Sequence, residues 1–440
     1  MPQRSKMHLV AYMRTNSTAS YAGGWRHPSA PLDDVWSPER YQYLARLLEG
    51  ACFDAGFFAD NLGLPDLYKG RIDDYIGRGG QASLLDPMIA LPIMAAATSR
   101  LGLGATLSTT FNEPYHLARS LGSLDLVSGG RAAWNVVTST MDCEAQNFGL
   151  AAMPDKATRY ARGDDVLEAC TRLWDSWEEG ALVMDRESGV FADPARIHPA
   201  NHAGPHVSTR GPLGIPRSPQ GRPVLMQAGS SPRGREFAAR WAELVFASPA
   251  TREAGIAFRA DLHERLGRAG RRPEDCKVLV SLSLVLGETE AIARDRAAYL
   301  DSLVAPELVL ASNSSLMGID LDAKLRAEAA GEEALAEVGN QGVQGTLDRM
   351  TQTVAARKQS FAETVRRPRD LFTGTAAGIA DVMEDWFTSG ACDGFVLPPT
   401  VYPQTFEDVA RLLVPELQKR GLFRREYAGR TLRENLANPG

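Results

Sequence analysis

The chain has 440 residues, of which 44% are hydrophobic and 23% are charged, a composition typical of a globular enzyme with a sizeable core. Its formal charge of -6 and its scattered lysines and arginines argue against nucleic acid as a partner. No apolar run approaches the ~20 residues of a membrane span, and the five cysteines lack C-x-x-C spacing, so we expect a cytoplasmic protein with no membrane partner.

Strand-like and helical segments alternate along the first third of the chain. Apolar runs of strand length are found at 7–13, 56–60, 101–109 and 131–139. Segments with helical periodicity lie between them, at 41–55, 87–99 and 114–128. Gly129 and Gly130 mark the end of the last of these helices, because a helix C-cap often needs a positive φ. This β-α-β order predicts a parallel sheet.

The same alternation continues after a long interruption. A helix at about 161–178 leads into a polar stretch rich in proline and glycine at 179–222, which we interpret as an excursion from the sheet. Further strands are predicted at 223–229, 242–248, 278–287 and 393–399, and further helices at 230–244, 251–269 and 374–391. The polar, partly helical segment 300–370 is predicted to be a second excursion.

About eight β-α units in one chain predict an α/β fold, a (β/α)8 TIM barrel with insertions, formed as a single domain over residues 1–440. An open dinucleotide-binding sheet is disfavoured, because no G-x-G-x-x-G follows the first strand. In a TIM barrel the functional groups lie at the carboxyl ends of the strands. The ends of the predicted strands are therefore the first place to look for a site.

Small neutral hydrogen-bonding groups dominate those strand ends. They include Thr106, Asn135, Thr138 and the Gly229–Ser231 run, with Asp60 as the acidic exception. Such groups suit a cofactor that brings its own reactivity, because the protein then mainly orients and shields it. The run 229–231 precedes a helix, where it can bind an anion at the helix N-terminus. An ordinary N-cap is the alternative interpretation.

The histidines give weaker signals. Three of them are spaced four residues apart, at His198, His202 and His206, but intervening prolines and a glycine break the helix that would align them, so we expect no metal site. His116 and His27 follow predicted strands and are candidates for a catalytic acid or base. A purely structural role fits either of them equally well.

Four longer motifs resemble one protein family. These are FDAGFFADN (53–61), the run from GLGATLSTTFNEPYH to AAWNVVTS (102–139), RGPLGIPRSPQGRPVLMQAGSS (210–231) and the C-terminal 412–436. They resemble the bacterial-luciferase superfamily, in the subfamily of nitrilotriacetate monooxygenase component A, dibenzothiophene-sulfone monooxygenase and long-chain alkane monooxygenase. Similarity extends through essentially the whole chain.

The resemblance implies an activity and its partners. It implies the oxygenase component of a two-component monooxygenase, a homodimer or homotetramer that receives reduced FMN from a separate NAD(P)H-dependent flavin reductase. With O2 as co-substrate, such an enzyme oxidises a small organic substrate, and we favour cleavage of a C–N or C–S bond. Other activities on this barrel stay open: a flavin-degrading enzyme, a deazaflavin-dependent oxidoreductase, or a non-catalytic flavin-binding protein.

The resemblance also implies which residues hold the flavin. Asp60 would lie near the flavin ring, Thr106 behind it, and Asn135 with Thr138 at its polar edge. The ribityl phosphate would be held by residues of two later segments, namely Lys156, Tyr160, Gly229, Ser230 and Ser231. Lys156 stands where the family commonly has histidine, and it can still bind a phosphate as a point charge. The two excursions could cover the barrel mouth or form oligomer contacts.

Overall fold

The computed structural model describes residues 6–330 and 360–437. Its strands, in chain order, are β1 (His8–Met13), β2 (Ala55–Phe58), β3 (Gly102–Ser108), β4 (Ala132–Val137), β5 (His202–Ala203), β6 (Ser208–Thr209), β7 (Val224–Gln227), β8 (Leu244–Ala247), β9 (Lys277–Ser281), β10 (Leu284–Leu286), β11 (Phe372–Gly374) and β12 (Gly394–Leu397). Eight of them form a closed barrel in the order β1-β12-β9-β8-β7-β4-β3-β2, with every pair parallel. The predicted (β/α)8 barrel is confirmed.

One predicted strand was wrong in its extent. The run 278–287 was expected to be a single strand, but it forms two, β9 and β10. Leu282 still donates its backbone N–H to the carbonyl of Val396 in the barrel, at 3.0 Å, and the chain then leaves the barrel wall. β10 pairs in parallel with β11 instead. The apolar run was continuous because both strands are buried, although in different sheets.

Most of the helices surround the barrel. In chain order they are α1 (Pro38–Gly50), α2 (Asp73–Ile76), α3 (Pro87–Ala97), α4 (Pro114–Val127), α5 (Asp142–Asn147), α6 (Lys156–Trp174), α7 (Pro232–Trp241), α8 (Arg252–Arg268), α9 (Glu290–Ser302), α10 (Pro306–Met317), α11 (Leu321–Ala330), α12 (Phe361–Val365), α13 (Ala376–Thr388), α14 (Gln404–Asp408), α15 (Val414–Lys419) and α16 (Leu432–Ala437). The helix predicted at 41–55 starts earlier, at the Ser37 cap with Pro38 at its first position, and ends at Gly50. It ends there because Cys52, with φ of 59°, turns the chain into β2.

A C-terminal helix closes the amino end of the barrel. Leu432 and Leu436 of α16 belong to the same buried cluster as Val10, Ala133 and other inward-facing strand residues. Gly102, at the start of β3, leaves room for this helix, because a Cβ there would lie 2.7 Å from Leu432 Cδ1. With the amino end filled by apolar side chains, the open cavity is at the carboxyl end.

The two excursions take different places. Segment 179–222 contains the β5–β6 hairpin and packs beside α4 and α6, where Trp177 Nε1 donates to the carbonyl of Leu213 at 2.8 Å. Segment 300–370 contributes α10 to the barrel mouth, and its residues 331–359 lie outside the described ranges. In residues 6–330 and 360–437, no helix is both long and apolar enough to cross a membrane.

Candidate active site

A cavity of two connected lobes occupies the carboxyl end of the barrel. The main lobe, of about 630 Å³, is lined by residues from most barrel strands, including Tyr12, Phe57, Thr106, Asn135, Phe246 and Val396. The side lobe, of about 280 Å³, lies against the start of α6 and of α7 and is lined by Thr138, Lys156, Arg159, Tyr160, Gly229 and Ser231. Asp60 and Ser230 line both lobes, so one elongated ligand can extend through the two.

Two side-chain amides at the bottom of the cavity have unused acceptors. Asn135 is 5% exposed and donates Nδ2 to the hydroxyl of Thr106 at 2.9 Å, while its Oδ1 has no partner among the described residues. Gln227, from the next strand of the barrel, is 6% exposed, and its Oε1 is likewise unpaired within residues 6–330 and 360–437. Buried acceptors without partners are costly. Both amides are therefore suited to a ligand that presents N–H groups to the cavity.

Asp60 is the acidic group of the main lobe. It follows β2 and accepts the backbone N–H of Asn61 at 2.9 Å. Burial raises the pKa of its carboxyl above the usual value, while the positive charge of Arg14 opposes that rise. A carboxyl group with a raised pKa exchanges protons more readily at moderate pH than an exposed one does.

The side lobe is built to hold an anion. Ser231 caps α7 and lines the lobe, and its hydroxyl accepts the backbone N–H of Gly234 at 3.1 Å. Pro232 has no N–H, so the start of α7 offers an anion the N–H of Arg233 and the positive end of the helix dipole. Arg159 is 2% exposed and donates Nη1 to the carbonyl of Ser139 at 2.7 Å, whereas its Nε has no partner in the described part of the chain. Lys156 adds a second cation to the lining.

Tyr160 and Gly229 fix the shape of this lobe. The guanidinium of Arg233 lies 5.1 Å from the centre of the Tyr160 ring, and burial raises the pKa of the Tyr160 hydroxyl, so it stays a neutral donor. A Cβ on Gly229 would lie 3.0 Å from Cα of Gly234 and only 2.1 Å from Nε2 of Gln227. The absence of a side chain at Gly229 thus allows the loop to cross the start of α7.

These groups fit FMN. A phosphate is dianionic near neutral pH and needs N–H and hydroxyl donors, which the side lobe supplies from Arg159, Tyr160, Ser231 and the start of α7. The isoalloxazine ring is flat and apolar with one polar edge. The main lobe offers it an apolar lining and the unpaired amide oxygen of Asn135, and the side lobe offers the unpaired amide oxygen of Gln227. The structure thus brings together all nine residues that the resemblance implied for the flavin.

Sequence reasoning missed several lining residues. Arg14 follows β1 directly, so the strand-end rule applied to the first strand would have found it. Arg159 directly precedes Tyr160 in the sequence. Phe57 and Phe246 stack on each other in the wall of the main lobe, with ring centres 4.7 Å apart and planes 10° apart, but each looks like an ordinary core residue in its strand. Arg369 had no local signal at all.

The two candidate catalytic histidines do not lie in the cavity. His116 faces a separate groove of about 510 Å³ between α3 and α4, on the outside of the barrel. His27 lines a smaller cavity beside Arg296, where burial and that neighbouring charge lower its pKa. Their predicted acid-base role therefore has no support in the geometry. Of the three histidines spaced four residues apart, two pair with carboxylates: His198 with Glu178 and His202 with Asp165.

Comparison with known proteins gives a consistent result. The family model for luciferase-like monooxygenases matches residues 17–391. Dibenzothiophene-sulfone monooxygenase of Rhodococcus erythropolis (strain XP) is 41% identical over 445 residues, covering 99% of this chain and 97% of that protein. Nitrilotriacetate monooxygenase component A of Aminobacter aminovorans is 38% identical, covering 94% and 93%. The crystal structure of riboflavin lyase with modified FMN and riboflavin superposes with a TM-score of 0.87 at 30% identity, covering 98% and 96%.

Proposed function

The chain belongs to the luciferase-like monooxygenase family, and on that premise we propose that it is the oxygenase component of a two-component flavin monooxygenase. It uses reduced FMN and O2 to oxidise a small organic substrate. One observation carries the proposal. An anion-binding lobe at the start of α7 joins an apolar lobe, and each lobe has a buried amide oxygen without a partner among the described residues, the arrangement that a flavin mononucleotide needs.

The flavin-binding residues have separate tasks in this proposal. Arg159, Tyr160 and Ser231 bind the phosphate by charge-assisted hydrogen bonds. The amides of Asn135 and Gln227 orient the polar edge of the ring, because each presents an acceptor without a partner in the part of the chain that the structure describes. When bound, reduced FMN supplies the electrons that activate O2.

The main lobe keeps water away from the reacting atoms. Phe57, Phe246 and Phe258 form its apolar wall, and Leu316 of α10 covers the junction of the two lobes. Exclusion of water favours transfer of oxygen to a bound substrate over release of hydrogen peroxide. Asp60 is the residue of this lobe best placed to hold or pass a proton, at its carboxyl oxygens, because its pKa is raised by burial.

The partner and the setting are part of the same proposal. The reduced flavin is delivered by a separate NAD(P)H-dependent reductase, as the name component A of the nitrilotriacetate relative suggests for that protein. The oxidised bond is a C–N or C–S bond, by analogy with the named substrates of the two relatives. All five cysteines are unpaired, which suits a cytoplasmic enzyme, and we expect a homodimer or homotetramer.

Anaerobic titration with reduced FMN tests the proposal, with oxidised FMN and a deazaflavin titrated in parallel. We expect selective binding of reduced FMN, followed, after mixing with O2 and a panel of C–N and C–S compounds, by product that contains one oxygen atom from O2. A preference for the deazaflavin would identify a different kind of oxidoreductase. Hydrogen peroxide as the sole product with every substrate would leave only a flavin-binding protein.

A flavin-degrading activity is the second candidate. It is favoured by the similarity to riboflavin lyase, whose structure holds both modified FMN and riboflavin as substrate. In this case the main lobe would accept a second flavin as the substrate. Incubation with riboflavin, reduced FMN and O2, followed by mass spectrometry, separates the two: catalytic loss of riboflavin supports the lyase, and its full recovery supports the monooxygenase.

A further inference from the structure

Arg369 is brought to the barrel mouth by a small sheet outside the barrel. β11 pairs with β10, in the register Leu284 with Phe372, and the N–H of Phe372 donates to the carbonyl of Ser283 at 2.9 Å. β10 follows β9 directly, so its pairing with β11 holds the segment before β11 against the carboxyl end of the barrel. Arg369, three residues before β11, thereby lines the main lobe together with Ser281 of β9.

The guanidinium of Arg369 has no acceptor or ion-pair partner in residues 6–330 and 360–437. The other two arginines of the lobe are partly satisfied: Arg235 pairs with Asp261 at 2.7 Å, and Arg14 donates Nε to the hydroxyl of Tyr12 at 3.3 Å. Nη1 of Arg14 and Nε of Arg235 are nevertheless without partners among those residues. Arg369 is therefore the arginine of this lobe whose whole guanidinium is unused within the described residues.

Tyr12, Arg14 and Arg369 line the same lobe. Arg14 is hydrogen-bonded to the hydroxyl of Tyr12. Arg369 is exposed to solvent, and its guanidinium stays charged at any physiological pH. An oxyanion that enters the lobe can therefore pair with this charge without displacing a partner from the described part of the chain.

The guanidinium of Arg369 lies in the main lobe, outside the side lobe that we propose for the phosphate. Arg369 and Tyr12 line the main lobe alone, whereas the side lobe has its own cations, Lys156 and Arg159. The stacked rings of Phe57 and Phe246 belong to the same main lobe as Arg369. The free space there combines a cation with a flat apolar wall.

We propose that the substrate is an organic oxyanion, with a carboxylate or sulfonate bound by Arg369 and a flat apolar body packed against Phe57 and Phe246. Arg14 contributes its free Nη1 to the same oxyanion. This inference rests on the proposed monooxygenase function and adds the class of its substrate. Arg369 is a substrate-binding residue that determines specificity, since two N–H donors in one plane match two oxyanion oxygens.

Binding of matched probes to the FMN-saturated protein tests the proposal. The probes are naphthalene-2-sulfonate and naphthalene-2-carboxylate, with the uncharged naphthalene-2-carboxamide as the neutral analogue, each titrated by calorimetry. We expect at least one anion to bind about tenfold or more tightly than the amide, because a hydrogen bond to a charged group is stronger than a neutral one. Arg369→Met should abolish this preference, and Arg369→Lys should keep part of it.

Arg366→Met is the matched control, since Arg366 is exposed in the same segment and does not line the cavity. Equal binding of the anions and the amide to the unmodified protein would overturn the inference, and so would a preference that survives in Arg369→Met or a failure of both anions to bind. Titration of the same samples with reduced FMN separates the two proposals. Failure to bind reduced FMN contradicts the monooxygenase function, whereas normal FMN binding without anion preference contradicts only the substrate class.

Discussion

Replacing Arg159 with methionine should weaken FMN binding about 10- to 150-fold while leaving riboflavin binding nearly unchanged. Arg159 is buried in the side lobe, with one N–H bond to the carbonyl of Ser139 and an unpaired Nε. A hydrogen bond to a charged group contributes about 1.5–3 kcal/mol, which sets the size of the effect on a ligand that carries the phosphate. Riboflavin lacks the phosphate, so it does not use this interaction.

The assay is an anaerobic titration of each reduced flavin, followed by absorbance. Arg172→Met serves as the control, because Arg172 lies on the same helix, α6, with its side chain 51% exposed and paired to Glu168 at the surface. Thermal unfolding of both variants reports any loss of stability from the lost bond to Ser139. Equal weakening of FMN and riboflavin binding would refute the reasoning, because Arg159 would then hold the loop and not the phosphate.

Three other predictions test the site and its surroundings. Gly229→Val should reduce FMN affinity at least about tenfold in the same titration, because a Cβ there collides with its neighbours; wild-type affinity would show that the loop can shift. Burial raises the pKa of Asp125 from 3.8 to about 6, so the folded state binds more protons in that range and stability falls as pH rises through it, by on the order of 3 kcal/mol. Asp125→Asn should remove this decrease in the free energy of unfolding, measured by urea denaturation between pH 4 and 7. An unchanged pH dependence would contradict the assignment. His27→Ala and His116→Ala should each retain kcat within about twofold, since neither side chain lines the cavity, and a tenfold loss would restore them as catalytic candidates.

The barrel could be predicted from the sequence because its strands are buried on both faces. Each of them is therefore a short continuous apolar run, as at His8–Met13 and Gly394–Leu397, and the alternation with helices gives the parallel order. The same property produced the error at 278–287. Apolar content cannot distinguish a barrel strand from a strand of a neighbouring small sheet, and the partner of β10 lies almost ninety residues later in the chain, at Phe372–Gly374.

The cavity-lining residues that we propose for the flavin were predicted for a related reason. Thr106 and Asn135 lie on neighbouring strands in register with each other, so their proximity follows from the topology alone. Ser231 was identified because a residue before a helix has a fixed relation to the free N–H groups of that helix. Arg369 lay beyond such rules. Its position depends on the pairing of β11, and nothing in the sequence around residue 369 indicates where that strand docks.

The chemistry of the lining supports a reaction driven by the cofactor. Among the described residues that line the main lobe there is no histidine, cysteine or lysine, and Asp60 is its one carboxylate. The hydroxyl groups of this lobe have no histidine or lysine beside them, among the described lining residues, to activate them as nucleophiles, so the protein acts mainly by binding, orienting and excluding water. Changes in the lining should therefore alter the fraction of consumed O2 that is incorporated into product more than they alter the rate of O2 consumption.

Phe246→Ala tests this expectation. We expect the variant to take up oxygen with reduced FMN at a rate within about twofold of wild type. Hydrogen peroxide should rise at the expense of product, because the variant opens the apolar wall to water.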